Sequence, residues 1–175
     1  MQFVLGGGCF WCLDAVYRQI KGVSQVETGY AGGEGRPNYY RVATGATGYA
    51  EVVRVTFDPS IIPASVVLDL FFVMHDPTTL NRQGADIGTQ YRSAMFYSND
   101  SQQQEFQLAQ KRAQEVWDDP IVTEVTPLKE FFIAEEEHQN YFQKNPEAGY
   151  CSIVIEPKIS KARAHFKQWF KEETT

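Results

Sequence analysis

Basic residues are in short supply in this chain of 175 residues, and the shortage excludes two kinds of partner. Lysine and arginine together number 16, aspartate and glutamate number 22, and the formal net charge is -6. Nucleic acids and anionic membranes are bound through basic surfaces. We therefore expect neither a nucleic acid nor a membrane as a partner.

Cysteine is equally scarce, with three residues in the chain. This small odd number does not make a disulfide scaffold, and in a reducing compartment thiols stay free unless chemistry oxidises them. The sequence has no basic segment followed by a secretory apolar run, and no stretch near the ~20 apolar residues of a membrane helix. These absences predict a cytoplasmic protein whose cysteines serve redox chemistry.

Internal repeats, low-complexity tracts and linkers are also lacking. The length is sufficient for one hydrophobic core, and a 43% share of hydrophobic residues is typical of a globular protein. We therefore expect a single catalytic domain over residues 1–175, present as a monomer.

The spacing of apolar residues predicts both strands and helices. Alternation with period two predicts strands, and apolar residues three or four apart predict helices. The expected strands are 2–5, 23–30, 51–57, 92–97 and 121–125; the expected helices begin at residue 10 and cover 63–74, 100–117, 135–143 and a last one capped by Ser160. This order is typical of an α+β, two-layer fold with a ferredoxin-like split βαβ core, a mixed sheet and an irregular C-terminal extension.

Cys9 stands where the first strand gives way to the first helix, directly after three glycines. Glycine permits a tight turn and leaves space around the sulfur, and the free N–H groups of a helix start favour a thiolate. Cysteine in an apolar stretch is usually inert packing, but glycines before it and Phe10 and Trp11 after it fit a pocket with an apolar wall. Cys9 is therefore the candidate nucleophile.

Glu51 has an informative position in the strand 51–57. Residues two apart share one face of a strand, so Glu51 lies on the apolar side with Val53 and Val55. A carboxyl group held there is desolvated and keeps its proton near neutral pH, which makes it a proton donor. The alternative is a frayed strand end that leaves Glu51 in water.

Other candidates follow from position in loops. Tyr39 and Tyr91 lie in two long loops, and tyrosine hydroxyls hold oxygen atoms by hydrogen bonds. Cys151 follows a glycine-containing loop that is able to carry it to another sulfur. By spacing alone, His138 fits a structural histidine better than a catalytic base, and the acidic run 135–137 fits a solvated helix face.

Eight segments of the chain together carry a resemblance to the A-type peptide methionine sulfoxide reductases. They are Gly8-Cys9-Phe10-Trp11, Thr28-Gly29-Tyr30-Ala31-Gly32-Gly33, Pro37-Asn38-Tyr39, Thr47-Gly48-Tyr49-Ala50-Glu51, His75-Asp76-Pro77, Asp86 through Ser93, Ala134 through Gln139, and Gly149-Tyr150-Cys151. They occur in the order that the family has. One such segment is a weak signal, whereas the ordered set is a strong one.

The resemblance implies thiol-dependent reduction of methionine-S-sulfoxide, free or in proteins, with thioredoxin as the final reductant and no cofactor or metal. It implies that Cys9 attacks the sulfoxide sulfur and becomes a sulfenic acid, which a second thiol converts to a disulfide. It further implies a methyl pocket of Phe10 and Trp11, oxygen binding and protonation by Glu51, Tyr39 and Tyr91, and a role for Asp86 in the hydrogen-bond network of the pocket.

Cys12 departs from the pattern of many relatives and leaves the resolving thiol open. Cys151 is the preferred resolving cysteine, because the family often uses a cysteine in the Gly-Tyr-Cys segment. Cys12 is also able to close a local disulfide with Cys9, or to act with Cys151 in a relay.

Two other classes of function remain as alternatives. One is a thioredoxin-like oxidoreductase that uses the C-x-x-C of Cys9 and Cys12 alone. The other is a zinc module, whose ligands are drawn from Cys9, Cys12, Cys151 and one of the histidines His75, His138 and His165.

Overall fold

The computed structural model describes residues 1–173, so residues 174 and 175 of the expected domain lie outside the described part. It contains eight strands. They are β1 Gln2–Gly6, β2 Val23–Ala31, β3 Ala50–Phe57, β4 Arg82–Gln83, β5 Asp86–Ile87, β6 Ala94–Tyr97, β7 Glu124–Pro127 and β8 Phe132–Ile133. Strands β4 and β5 form a small hairpin, and the other six form one sheet in the order β7-β6-β1-β3-β2-β8.

Six α-helices accompany the sheet within residues 1–173. They are α1 Phe10–Tyr17, α2 Tyr39–Ala43, α3 Ala64–Met74, α4 Asp100–Gln114, α5 Tyr141–Lys144 and α6 Glu156–Phe166. Helix α4 begins as the sequence predicts, because the side chain of Asn99 accepts a hydrogen bond from the backbone N–H of Gln102 at 2.9 Å.

The sheet is mixed. Strand β3 lies between β1 and β2 and is antiparallel to both; β6 is antiparallel to β1, and β7 is parallel to β6. The α+β class with a mixed sheet is therefore confirmed. Alternation along the strands divides their side chains between two faces. One face, which includes Phe3, Leu5 and Val55, joins the main core with the helices, while the other carries a smaller cluster that includes Val52 and Phe96.

The last third of the chain differs from the sequence prediction. In place of one helix over 135–143, the chain has a 3₁₀ turn Glu136–His138, a left-handed residue at Asn140 and the short helix α5. Ser160 does not cap the final helix but lies inside it, because α6 starts at Glu156 with a proline in its first turn. Cys151 to Ile155 form a π-helical turn that runs directly into α6.

Within residues 1–173, no helix combines the length and apolar character that crossing a membrane requires.

Candidate active site

Cys9 is the N-cap residue of α1, at the junction that the sequence predicts. The loop from β1 to α1 is held by a hydrogen bond from the backbone N–H of Gly8 to the carbonyl of Tyr91, at 3.2 Å. Gly7 has to be small, since a Cβ there would stand 2.9 Å from the ring of His75. That ring is buried and bonded to the Phe71 carbonyl and the Ser93 hydroxyl, so it has no room to move.

The resting Cys9 thiol is protonated, contrary to the sequence prediction. Cys9 is 7% exposed. Burial, hydrogen bonding with Cys12 and the charge of Glu51 raise the pKa of Cys9 well above its usual range, against a smaller lowering by the backbone N–H of Trp11. At this helix start, desolvation therefore outweighs the stabilisation of a thiolate by the backbone N–H of Trp11.

Glu51 lies next to this thiol, and its predicted burial is confirmed. Its side chain is 2% exposed, and its Oε1 accepts a hydrogen bond from the backbone N–H of Phe10 at 3.1 Å. Burial raises the pKa of Glu51 to about 8, against the lowering by the Phe10 N–H, and nearby Asp86 and Cys12 raise it further. The carboxyl group therefore carries a proton at neutral pH and is able to donate it.

Aromatic rings line the site beside these two groups. We call Trp11, Tyr39, Tyr141 and Tyr150 the aromatic wall. The indole of Trp11 stacks on Tyr141, with centroids 3.7 Å apart and planes inclined by 6°, and meets Tyr150 edge-on at 5.7 Å. Phe10 is fully buried beneath, with its ring 6.4 Å from that of Tyr39. The predicted residues Phe10, Trp11 and Tyr39 thus come together.

Two tyrosine hydroxyls belong to the same electrostatic environment as Glu51. Burial raises the pKa of Tyr39 to about 12, and the charges of Glu51 and Cys9 add to the shift. Burial likewise raises the pKa of Tyr91, with Glu51, Asp86 and Cys9 contributing. Both hydroxyls are therefore protonated at neutral pH and available as hydrogen-bond donors.

Asp86 is bonded to a residue that the sequence analysis did not single out. The hydroxyl of Tyr150 donates to its Oδ2 at 2.8 Å and also lies 3.9 Å from the sulfur of Cys12. The hairpin of β4 and β5 is in this way tied to the segment that carries Cys151. The sequence feature that could have pointed to Tyr150 is its place next to the candidate Cys151.

Cys12 is in contact with Cys9, since its backbone N–H donates to the carbonyl of Cys9 at 3.1 Å. Hydrogen bonding from Cys9 and the charge of Lys158 lower the pKa of Cys12 to about 7, although burial opposes them. Cys151 is fully buried at the start of the π-helical turn, and burial and a charge on Cys12 raise its pKa. All three cysteines are free thiols.

The acidic run is more than a solvated face. Glu136 and Glu137 are exposed as expected, but Glu135 accepts hydrogen bonds from the Tyr30 hydroxyl and the backbone N–H of Tyr39, both at 3.1 Å. These contacts join segments about one hundred residues apart, which sequence spacing does not reveal.

The zinc alternative finds no support in the geometry. Among residues 1–173, the group with metal-ligand spacing is Glu135, Glu137 and His138, and it includes no cysteine. His75 is engaged by Phe71 and Ser93, and His165 bonds to the Lys161 carbonyl on α6.

Comparison with known proteins agrees with this arrangement. Residues 1–170 match the family model described as Peptide methionine sulfoxide reductase. The chain is 60% identical over 168 residues to Peptide methionine sulfoxide reductase MsrA of Paenarthrobacter aurescens (strain TC1), covering 95% of this chain and 97% of that protein.

Solved structures give the same result. Reduced Mxr1 from Saccharomyces cerevisiae superposes with a TM-score of 0.82 and 39% identity, over 86% of this chain and 88% of that one. Mxr1 in complex with Trx2 superposes with a TM-score of 0.58 and 28% identity, over 81% and 84%. The chain belongs to the peptide methionine sulfoxide reductase family of enzymes, and its relatives in that family are MsrA proteins.

Proposed function

We propose that this enzyme reduces methionine-S-sulfoxide, free or in proteins, to methionine and is recycled by thioredoxin. The observation that carries the proposal is the pairing of Cys9 with a buried carboxyl group that keeps its proton, held by the Phe10 N–H at 3.1 Å. A sulfoxide oxygen is a poor leaving group until it is protonated, so the reaction needs a thiol and an acid at the same sulfur.

In the first step, Cys9 attacks the sulfoxide sulfur while Glu51 donates a proton to the oxygen. Tyr39 and Tyr91 hold that oxygen through hydroxyls that keep their protons at neutral pH. The S–S bond formed by this attack breaks as the oxygen passes from the substrate sulfur to Cys9, so Cys9 ends as a sulfenic acid and the substrate leaves as a thioether. The thiol proton of Cys9 restores Glu51. The sulfur of Cys9 is oxidised by two electrons and the methionine sulfur is reduced by two.

The aromatic residues provide recognition. Phe10 and Trp11 form an apolar pocket for the methyl group on the substrate sulfur, and Asp86 belongs to the polar network at its edge through Tyr150. The pocket fixes the methyl group on one side of the substrate sulfur and the oxygen on the other. Only one configuration at that sulfur therefore places it for attack by Cys9. The family resemblance assigns that configuration as S.

In the second step, the contacts among the three cysteines support a relay, in which the disulfide passes from one pair of thiols to the next. The backbone N–H of Cys12 donates to the carbonyl of Cys9 at 3.1 Å, and hydrogen bonding from Cys9 lowers the pKa of Cys12 to about 7. A charge on Cys12 raises the pKa of Cys151, so Cys12 is the thiol that interacts with both of the others. We therefore place Cys12, and not the Cys151 that the resemblance favours, as the thiol that condenses with the sulfenic acid and releases water. Cys151 then attacks the sulfur of Cys12, which gives a Cys12–Cys151 disulfide and returns Cys9 as a thiol.

Thioredoxin is the proposed final reductant. Its dithiol is oxidised while the disulfide of this enzyme returns to two thiols. The relative Mxr1 has been crystallised in complex with Trx2, which supports this assignment. Cys151 is fully buried, and a π-helical turn is an irregular, often functional element, so we expect the 149–155 segment to move before reduction.

The strand order and the three cysteines support the rest of the proposal. The strand order β6-β1-β3-β2, with β3 inserted between β1 and β2, supports the ferredoxin-like split βαβ description. We also propose a single catalytic domain that acts as a cytoplasmic monomer. Three cysteines are too few for a disulfide scaffold, which is in keeping with a reducing compartment.

The test is NADPH oxidation coupled to thioredoxin and thioredoxin reductase, with the S and R epimers of a blocked methionine sulfoxide supplied separately. We expect turnover of the S epimer alone and none with Cys9→Ser. Equal turnover of both epimers would overturn the stereochemical assignment, and no turnover by freshly reduced wild type would overturn the proposed reaction.

A further inference from the structure

The 3₁₀ turn Glu136–His138 and the residue before it lie directly behind the aromatic wall. His138 is 5% exposed, and its Nδ1 accepts a hydrogen bond from the indole N–H of Trp11 at 3.2 Å. The same imidazole stacks on Tyr39, with centroids 4.2 Å apart. The Oε2 of Glu135 accepts a hydrogen bond from the backbone N–H of Tyr39 at 3.1 Å. One short segment therefore contacts both Trp11, which is assigned to the methyl pocket, and Tyr39, which is assigned to the sulfoxide oxygen.

The contact with Trp11 fixes the position of the imidazole proton. An indole N–H only donates, so Nδ1 of His138 must present its lone pair, and a neutral imidazole then carries its proton on Nε2. That nitrogen lies 3.7 Å from Oε2 of Glu135 and 3.6 Å from Oε1 of Glu137, and it has no closer partner among the described residues. Burial lowers the pKa of His138, and the two carboxylates oppose this in part.

The same tautomer argues against a metal at this place. The ligand atoms of Glu135, Glu137 and His138 lie within 4.8 Å of one another, as in a cation site. A metal on Nε2 would need the lone pair there and the proton on Nδ1, where it would face the indole N–H of Trp11. Metal binding and the Trp11 hydrogen bond exclude each other, so the cluster is better explained by its contacts with the pocket.

We propose that Glu135 and His138 are positioning residues for sulfoxide reduction, and that His138 acts as the neutral Nε2–H tautomer. His138 sets the plane of the Trp11 indole and supports Tyr39 from behind, while Glu135 fixes the backbone of Tyr39. Together they set the separation between the methyl pocket and the oxygen-binding hydroxyl. This inference rests on the proposed function for its catalytic meaning, but the hydrogen bond itself does not.

Protonation of His138 would break the arrangement. The doubly protonated ring has no lone pair for the Trp11 N–H, and its charge is drawn toward Glu135 and Glu137 from its own turn. The other elements packed on the ring present Phe10 and Trp11 from α1, which carry no charge, and Tyr39 from α2, whose hydroxyl keeps its proton. Because burial lowers the pKa of His138 from the usual 6.5, we expect kcat/KM to fall on acidification at a pH below that value.

Two substitutions separate positioning from packing. In His138→Asn the side-chain oxygen takes the place of Nδ1 and still accepts from Trp11, whereas His138→Leu has similar bulk and no acceptor. We expect His138→Leu to lose roughly ten- to a hundredfold in kcat/KM and to discriminate less between methyl and ethyl sulfoxides. His138→Asn should keep most of the activity and the discrimination, and should lack the acidic fall. Glu136→Gln, at the exposed neighbour that pairs with Lys144, is the matched control.

The hydrogen bond is measured without turnover by long-range ¹H–¹⁵N NMR of the imidazole rings, with His138 assigned from the His138→Asn spectrum. We expect the Nε2–H tautomer at neutral pH and an indole N–H signal of Trp11 that shifts in His138→Leu. An Nδ1–H tautomer, or equal methyl-to-ethyl discrimination in His138→Leu and wild type, would overturn the inference. If wild type reduced neither epimer, the proposed function would fall while the NMR result still decided the contact.

Discussion

The carboxyl group of Glu51 is bonded at 3.1 Å to the backbone N–H of Phe10, the first residue of the helix that Cys9 caps. An N–H at this position ordinarily stabilises a negative charge. Here burial outweighs it, and the acid keeps its proton up to about pH 8. The thiol and the proton donor are thus fixed to the same helix start, which sets their relative position before any substrate arrives.

Glu51→Gln should lose proton donation and keep the hydrogen bond to Phe10. We expect kcat/KM to fall about 10²- to 10⁴-fold, as is usual on loss of a general acid. In wild type, kcat/KM should decline above about pH 8, where Glu51 loses its proton, and this alkaline fall should be missing from the residual activity of the variant. Glu34→Gln, on an exposed loop, is the control. Full activity in Glu51→Gln would contradict the assigned role.

The same residue should make the protein less stable as pH rises. The pKa of Glu51 is about 8 in the folded state against 4.5 for the free side chain, so the folded state binds more protons between these values and the free energy of unfolding falls with rising pH. From pH 6.5 to 8, Glu51→Gln should gain about 2 kcal/mol relative to wild type, or about 4–8 °C in Tm.

The comparison with the variant is needed because other groups titrate nearby. The lowered pKa of Cys12, about 7, acts in the opposite sense between pH 7 and 9, and the raised pKa of Asp14, about 6, acts at lower pH. Both pKa shifts occur in wild type and in Glu51→Gln, so they cancel when the two proteins are compared. A Tm difference that stayed constant over this range in differential scanning calorimetry would contradict the burial argument.

The predictable part of this protein is the part with long periodic patterns. Strand parity placed Glu51 on the core face, and the glycines placed Cys9 at a helix start, because both follow from neighbours within a few residues. The segment from Glu135 to Cys151 was predicted poorly, since its short 3₁₀ and π-helical turns carry no apolar period. The bonds of Trp11 to His138 and of Tyr150 to Asp86 span 127 and 64 residues, and only folding brings them together.

The relay makes a prediction about disulfides. After reaction with substrate and no reductant, alkylation and peptide mapping should find Cys12 joined to Cys151 in wild type, and Cys9 joined to Cys12 in Cys151→Ser. Because the relay frees Cys9 for a second attack, wild type should release about two methionines per chain and Cys151→Ser about one. A Cys9–Cys151 disulfide in wild type, formed equally fast in Cys12→Ser, would show that Cys151 resolves Cys9 directly.

The loop that presents Cys9 should be intolerant of a single methyl group. A Cβ at Gly7 meets the His75 ring at 2.9–3.1 Å, and that ring is bonded to the Phe71 carbonyl at 2.6 Å and the Ser93 hydroxyl at 2.7 Å. Overpacking against a group held this way costs about 1–3 kcal/mol. Gly7→Ala should therefore lower Tm by several degrees. It should also lower the rate of sulfoxide reduction, because the added methyl group displaces Cys9.

Gly149→Ala is the matched control, because a Cβ at Gly149 has no heavy atom within 4 Å. Its Tm should equal or slightly exceed that of wild type, since the added methyl group meets open space and alanine is favoured over glycine at a helical position. Thermal unfolding of the two variants side by side gives the answer. If Gly7→Ala were as stable as wild type, the His75 ring would have to move freely, and its hydrogen bonds to Phe71 and Ser93 would not be what holds the loop in place.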